Sequence, residues 1–291
     1  MVNFINLVVA GLATGAVYAL IAIGFTLLWQ TSQTINFAQG EFAMLPAFLM
    51  LAAASLGLPL WLAVLAGVAM SALVLGAAFK FVLVDPMLKH GVLPLAIATM
   101  ALSIFMKETV KEVYSAEAQS FPSLLPDGNV AILGAPVSLQ SVGVFVTSIV
   151  AVAALQLFIA RTRTGRQMQA TAQNPTVARI LGIPVERMIL LTFVINAVLV
   201  ALASALISPI YLAKFSSGET LGLAAFIAAI VGGFNQIRGA IAGGMVLGIV
   251  DNLSAAYIST QYRGAVPLFL LIAVILFRPQ GLFGRAEERT V

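Results

Sequence analysis

The sequence predicts an all-α polytopic membrane protein of about nine transmembrane helices, with eight as the alternative count, an inverted internal repeat and interrupted helices. Three observations predict that class. Of the 291 residues, 61% are hydrophobic and only 9% are charged, far outside the composition of a soluble domain. Apolar runs of about 20 residues recur along almost the whole chain, each long enough to cross a ~30 Å hydrocarbon core at ~1.5 Å rise per residue. The alternating ~10-residue segments of an outer-membrane barrel are missing, so the expected spans are helices.

Composition also limits the chemistry. There is no cysteine, which removes disulfides, thiolate metal sites and cysteine nucleophiles. The one histidine, His90, stands beside Lys89 in a short polar turn and reads as a solvated loop residue, so no metal site is expected. No lysine or arginine precedes the first apolar run, which is therefore expected to stay as a helix and not to be cleaved as a signal peptide. The net charge of +4 comes from arginines gathered in one loop and at the C-terminal end. That placement fits positive-inside topology better than nucleic-acid binding.

Taken in order, the first span covers residues 7–29, and its Gly11 and Gly15 form a small-xxx-small face for close helix packing. The polar interruption at 31–41 ends in Gly40-Glu41, where a short span over 42–56 begins. A third span covers 60–84 and leads through Asp85-Pro86 to His90. A fourth begins near residue 92 and fades into the charged stretch after Met106. Residues 111–136, with Glu112, Glu117 and Asp127 against Lys111 and several Pro and Gly, read as a slightly acidic outer loop. A fifth span follows at 137–160.

The longest arginine-rich polar run is 161–187, with Arg161, Arg163, Arg166, Arg179 and Arg187 against Glu186. Residues 167–172 and 176–182 can each form a short helix around the Asn174-Pro175 break. Four further spans are expected at 188–212, 221–233, 239–257 and 266–277, followed by a tail with Arg278, Arg285 and Arg289. With the arginine-rich loop and the tail inside, the N-terminus lies outside. The glycines Gly239, Gly243, Gly244 and Gly248 form overlapping G-x-x-x-G patterns, again a packing signal.

A repeat emerges from this order. Phe37-x-x-Gly40-Glu41 with Leu45, Ala47 and Phe48 matches Phe215-x-x-Gly218-Glu219 with Leu223, Ala225 and Phe226. Each copy follows a long span and opens a short one, and the two run in opposite directions, as in transporters built from inverted halves. The halves would be residues 1–112 and 188–291, with 113–187 carrying the outer loop, the connecting span and the cytoplasmic loop.

Asn36, Phe37, Gln39, Gly40, Glu41 and Glu219 are the candidate pathway or gate residues, because an ionisable group next to a span either pairs or faces water. The competing reading of Glu41 is a carboxylate stabilised at a helix N-terminus. Asp251 and Asn252, near the end of their span, stand equally between pathway and helix-end roles. The sequence contains no phosphate loop, nucleophile elbow or zinc-protease motif, so no catalytic residue is expected. If ATP drives transport, other chains bind it. The arginine-rich loop is then either a docking element or a solvated basic loop that only sets topology.

At these residues the sequence resembles the permease subunits of branched-chain amino acid ABC importers, of the LivH type. The resemblance rests on Gly15 with the run Tyr18 to Gly24, on Ile35-Asn36-Phe37-Ala38 before Gly40-Glu41, and on Gly165-Arg166. It continues through Leu181-Gly182-Ile183, Leu191 to Ile195, Gly239-Ala240 before Gly243-Gly244, Ser254 to Tyr257 and Pro279-Gln280-Gly281. It implies a location in a bacterial inner membrane, a second LivM-like permease, two cytoplasmic ABC ATPases that bind ATP and Mg, and a periplasmic substrate-binding protein. No cofactor on this chain and no nucleic-acid partner are implied. The coupling element would be the loop with Arg166, Gln167, Ala170, Asn174, Ala178, Leu181, Gly182 and Ile183. Gln39, where relatives often carry histidine, and Arg238, where proline is common, leave the substrate open among branched-chain amino acids, urea, amides and aromatic acids. A stand-alone channel or secondary carrier is the rival class.

Overall fold

The computed structural model describes residues 2–126, 128–132, 135–262 and 264–284. The tail residues Arg285 and Arg289, and Asp127 and Gly134 of the acidic loop, lie outside the described residues. The chain is a helical bundle, and six helices among the described residues are long and apolar enough to cross a membrane. They are α1 (Val2–Ser32), the continuous stretch Leu60–Leu88, α5 (Val92–Tyr114), α6 (Leu139–Arg161), α9 (Val185–Tyr211) and α11 (Ile237–Tyr257). Two shorter apolar helices, α10 (Ser217–Gly232) and α12 (Ala265–Phe277), accompany them, together with the short helix α2 (Gln39–Ser55). Between α6 and α9 lie α7 (Arg163–Gln173) and α8 (Pro175–Ile180).

The stretch Leu60–Leu88 is not uniform. It opens as α3 (Leu60–Ser71), widens into π-helical turns over Ala72–Ala78 and Lys80–Val84, and closes as α4 (Asp85–Leu88). A wide turn lets the helix rotate its side chains without breaking. Here it brings Phe79 edge-on to Phe42, with centroids 4.9 Å apart, and against Phe193 at 5.9 Å.

α1 and α9 are the buried centre, whereas α5, α6 and α12 turn large apolar side chains such as Ile97, Ile104, Val150, Leu157, Phe269 and Leu276 outward. In water that much exposed apolar surface would be unstable; against acyl chains it is the expected outer face. The spread of exposure therefore identifies a multi-pass membrane protein.

Close approach of α1 and α11 organises the bundle. The helices run antiparallel, and Gly11 and Gly15 meet Gly244 and Gly248. A Cβ on Gly15 would lie 2.7 Å from the Gly244 carbonyl oxygen, and one on Gly244 would lie 2.6 Å from the Ala19 nitrogen. Gly243 likewise packs on α10, where an added Cβ would sit 2.8 Å from the Gly232 nitrogen, and Gly239 packs on the same turn. Without lipid-solvated hydrophobic gain to drive them together, such helices associate through backbone-to-backbone van der Waals contact, which only glycine permits.

Two expectations need correction. The fourth span does not fade at Met106: α5 continues through the charged stretch to Tyr114, whose hydroxyl donates to the Phe48 carbonyl at 3.1 Å. The acidic loop is also not wholly irregular. Asn129–Ile132 (β1) and Ala135–Ser138 (β2) pair as an antiparallel hairpin, and Gln119 bridges to Ala213, tying this loop to the one after α9. The Pro and Gly in the stretch hid both short strands. The bundle consequently has a hairpin end and, opposite it, an arginine end holding α7, α8 and the C-terminus of α1.

Candidate functional site

The two copies of the F-x-x-G-E motif meet. After α1 ends at Ser32, residues 33–38 double back, so α2 starts with Gln39 beside Ile21 and Gly24 of α1, about 12 Å inside that helix's end. α2 then runs parallel to α9, as the Gln39–Asn196 and Ala47–Ser204 hydrogen bonds require. α10 runs the other way, with Phe226 against Phe25 and Phe234 against Trp29. The first turns of α2 and α10 cross where Gly40 touches Gly218 and Gly222; a Cβ on Gly222 would come within 2.7 Å of the Gly40 Cα. With the N-terminus outside and each span crossing once, the expected topology put Asn36 to Glu41 at the inner end and Glu219 at the outer end. The structure instead brings Glu41 and Gly218 side by side, because both short helices begin inside the bundle and not at its ends.

Glu41 is buried, with 2% of its surface exposed. Its Oε1 accepts from the Ser103 hydroxyl at 3.4 Å, while Oε2 has no hydrogen-bond partner. It makes no side-chain capping bond at the start of α2. Its position in the first turn still places it at the positive end of the helix dipole. Glu219 faces the same helix and pairs with Lys107 of α5, one turn beyond Ser103. Phe37 is exposed, and its backbone N–H donates to Thr99 Oγ1 at 3.2 Å.

Gln39 and Asn196 form a reciprocal amide pair. Gln39 Nε2 donates to Asn196 Oδ1 at 2.7 Å, Asn196 Nδ2 donates back to Gln39 Oε1 at 3.1 Å, and Asn36 Nδ2 adds a third bond at 3.4 Å. Asn36 Oδ1 in turn accepts from the Ala38 N–H at 3.0 Å. Both amide side chains are fully buried, so the pair pins the start of α2 to α9. Gln39→Leu alone should leave Asn196 unsatisfied and cost about 1 to 3 kcal/mol, whereas Gln39→Leu with Asn196→Leu should recover part of that loss. Thermal unfolding of the purified chain checks this, and equal costs for single and double variants would refute the pairing.

On the hairpin side of the crossing lies a cavity of about 410 Å³. α1 contributes Thr14 and Tyr18, α2 contributes Ala43, Met44 and Ala47, and α9 contributes Ile207, Ser208 and Tyr211. α10 adds Thr220, Leu221 and Ala224, and α11 adds Asp251. Asp251 is not a solvated helix end: it is 4% exposed and accepts from the Tyr18 hydroxyl at 3.2 Å. Sequence reasoning missed this cavity, and it missed Lys107, Ser103 and Asn196. Asn196 carried a readable signal, a lone amide within an apolar span; Ser103 and the cavity depended on how the helices pack.

At the arginine end, α7 and α8 form where the sequence placed two short helices. Thr162 caps α7 by accepting from the Gly165 N–H at 2.9 Å, and Asn174 caps α8 by accepting from the Val177 N–H at 3.0 Å. Gly182, just past the end of α8, has φ +80°, and the Ile183 N–H donates to the Ala178 carbonyl at 3.0 Å. Met168 and Ala178 are buried and anchor the pair, while Arg166, Asn174 and Arg179 are exposed and Gln167, Ala170 and Ile183 half-buried. Val177, Ile180 and Leu181 also face outward, the last two at 80% and 72% exposure. Glu186 lies 3.5 Å from Arg179 and 3.6 Å from the buried Lys80, which also pairs with Asp85 at 2.8 Å.

A multi-pass helical bundle, with two short helices meeting inside it and a capped helix pair projecting at one end, defines a membrane permease. The chain matches the family described as branched-chain amino acid transport system / permease component over residues 7–275, and it belongs to that family. It is 34% identical to the high-affinity branched-chain amino acid transport system permease protein BraD of Pseudomonas aeruginosa, over 99% of this chain and 98% of the relative. The corresponding LivH of Escherichia coli strain K12 is also 34% identical, with the same coverage of both chains. A probable LivH of Methanocaldococcus jannaschii is 26% identical over 91% of this chain and 88% of the relative. No solved structure matches the chain.

Proposed function

We propose that this chain is one of two permease subunits of an ATP-driven importer for branched-chain and other small apolar amino acids. Its partners would be a LivM-like permease, two cytoplasmic ATPases that bind ATP and Mg, and a periplasmic binding protein. The observation that carries the reading is the apolar face of α8. Val177, Ile180 and Leu181 project among arginines at the polar end of the bundle, where bare apolar side chains call for a protein partner. The chain has no phosphate loop of its own, and an ATPase seated on α8 would supply one.

In this reading the arginine end is cytoplasmic, since Lys80, Lys89, Arg161, Arg163, Arg166, Arg179, Arg187, Arg238 and Arg278 gather there. The N-terminus then lies outside and the C-terminus inside, with nine membrane-embedded helices. α2 and α10 are the related short helices of two inverted halves, 1–112 and 188–291, with 113–187 as connector. Asn36, Phe37, Gln39, Gly40, Glu41 and Glu219 form the gate where those short helices cross. Movement of α7 and α8 would reach that gate through α9, to which the Gln39–Asn196 pair ties α2.

Purification of the tagged chain in mild detergent is expected to recover a second permease and an ATPase carrying a G-x-x-x-x-G-K-[ST] loop, both identified by mass spectrometry. Recovery of the chain alone, from membranes in which those partners are abundant, would count against the assembly.

A further inference from the structure

We infer that Lys107 is one cation shared by two carboxylates, Glu219 and Glu41, and that its exchange between them binds and releases the start of α10. The inference rests on the gate reading above and adds to it a working part. The two glutamates occupy the same position of the F-x-x-G-E motif, one in each copy. The crossing of Gly40 with Gly218 brings both of them to the same face of α5. In this structure Lys107 pairs with Glu219, while Ser103, one turn earlier on α5, donates to Glu41.

Three observations support a second position for the lysine. Glu41 is buried, and its Oε2, which lies against Gly218, has no hydrogen-bond partner. An unpartnered buried carboxylate oxygen is costly, and among the described residues the cation in electrostatic range of it is Lys107. Reach is the second observation. Four residues along a helix rise ~6 Å, and long side chains lean towards the helix N-terminus, which carries the Lys107 stem back over Ser103. Its flexible four-carbon stem can therefore serve either carboxylate without moving α5. The third is balance. The Lys107 and Glu219 side chains are 24% and 62% exposed, and an ion pair open to solvent is weak. At Glu41 the attraction is stronger in drier surroundings, but the lysine gives up more water to reach it. These terms oppose each other, as a two-position switch requires. Glu108, the other acid beside Lys107, is engaged by Lys111 at 3.1 Å and does not compete.

The exchange has a mechanical consequence. α5 packs on α2 and on the stretch Leu60–Leu88. Among the described residues, its side-chain ties to the start of α10 are the Lys107–Glu219 pair and Lys111, which lies 6.0 Å over the Phe215 ring. With Lys107 on Glu41, α5 is held to α2 and the first turn of α10 comes free of α5.

Because the chain lacks cysteine, two exposed positions can carry spin labels: Val113→Cys on α5 and Leu223→Cys on α10. Pulsed electron-spin distance measurements on the full chain in nanodiscs read the separation of the two helices. Glu41→Gln, which leaves the lysine only Glu219, is expected to narrow the distribution to the shorter separation. Glu219→Gln, which leaves it only Glu41, is expected to shift the distribution to the longer one. In a Lys107→Met background neither substitution should change the distances further. Shifts in the same direction, no shift, or responses that persist without Lys107 would overturn the exchange. ATP-driven leucine uptake by the assembled transporter is measured in parallel and should be lost in both variants. Opposite shifts with unimpaired uptake leave the exchange standing and remove the two glutamates from the gate; lost uptake without any shift does the reverse.

Discussion

Gly244→Leu is expected to abolish accumulation of the folded chain in membranes, with yield in mild detergent reduced at least about tenfold. The reason is geometric: α1 and α11 touch through their backbones, and even a Cβ at this position would overlap Ala19. Inserting atoms into a well-packed contact typically costs about 1 to 3 kcal/mol when the surroundings can yield. Here the opposing atoms are helix backbone, which cannot swing aside as a side chain can. Gly128→Leu is the matched control, because a Cβ there meets nothing within 4 Å. Detergent size-exclusion profiles of the two variants test the contrast. Equal yields of monodisperse protein would show that the α1 to α11 contact is not close in the membrane.

Ile180→Asp combined with Leu181→Asp is expected to leave yield and thermal stability unchanged, while ATPase co-purification and ATP-driven uptake fall at least about tenfold. Both side chains lie outside the core at 80% and 72% exposure, so the fold loses no packing. What the variant removes is apolar area that a partner would bury, and adding two carboxylates to a groove contact imposes desolvation as well. A few apolar anchors commonly carry most of an interface's binding energy. Retained ATPase binding and uptake would return the arginine-rich pair of helices to a purely topological role.

The class and most element positions were legible because lipid imposes long apolar runs and because breaks between them are chemically distinct. Asn174-Pro175 marked the boundary between α7 and α8 through cap chemistry and the missing proline N–H. Glycine spacing marked α1 and α11 as packing helices, though it could not say that Gly11 and Gly15 meet Gly244 and Gly248 rather than another subunit. The site was less legible. Spacing located Gly40-Glu41 and Gly218-Glu219 but assigned them to opposite ends, since the depth at which a short helix begins depends on the path of the loop before it. Residues 33–38 turn inward because Asn36 and Gln39 find amide partners there, a contact across more than 150 positions that no local pattern encodes. Asp251 stood equally between pathway and helix-end roles for the same reason: its Tyr18 partner lies on the first helix.

This chain is expected to move small apolar amino acids only as part of an ATP-powered assembly. Proteoliposomes containing it with the proposed second permease, ATPases and binding protein are expected to accumulate labelled leucine when ATP and Mg reach the ATPases. Vesicles holding this chain alone should take up none. Leucine entry through the chain alone, independent of ATP, would instead mark the protein as a channel or a self-sufficient carrier.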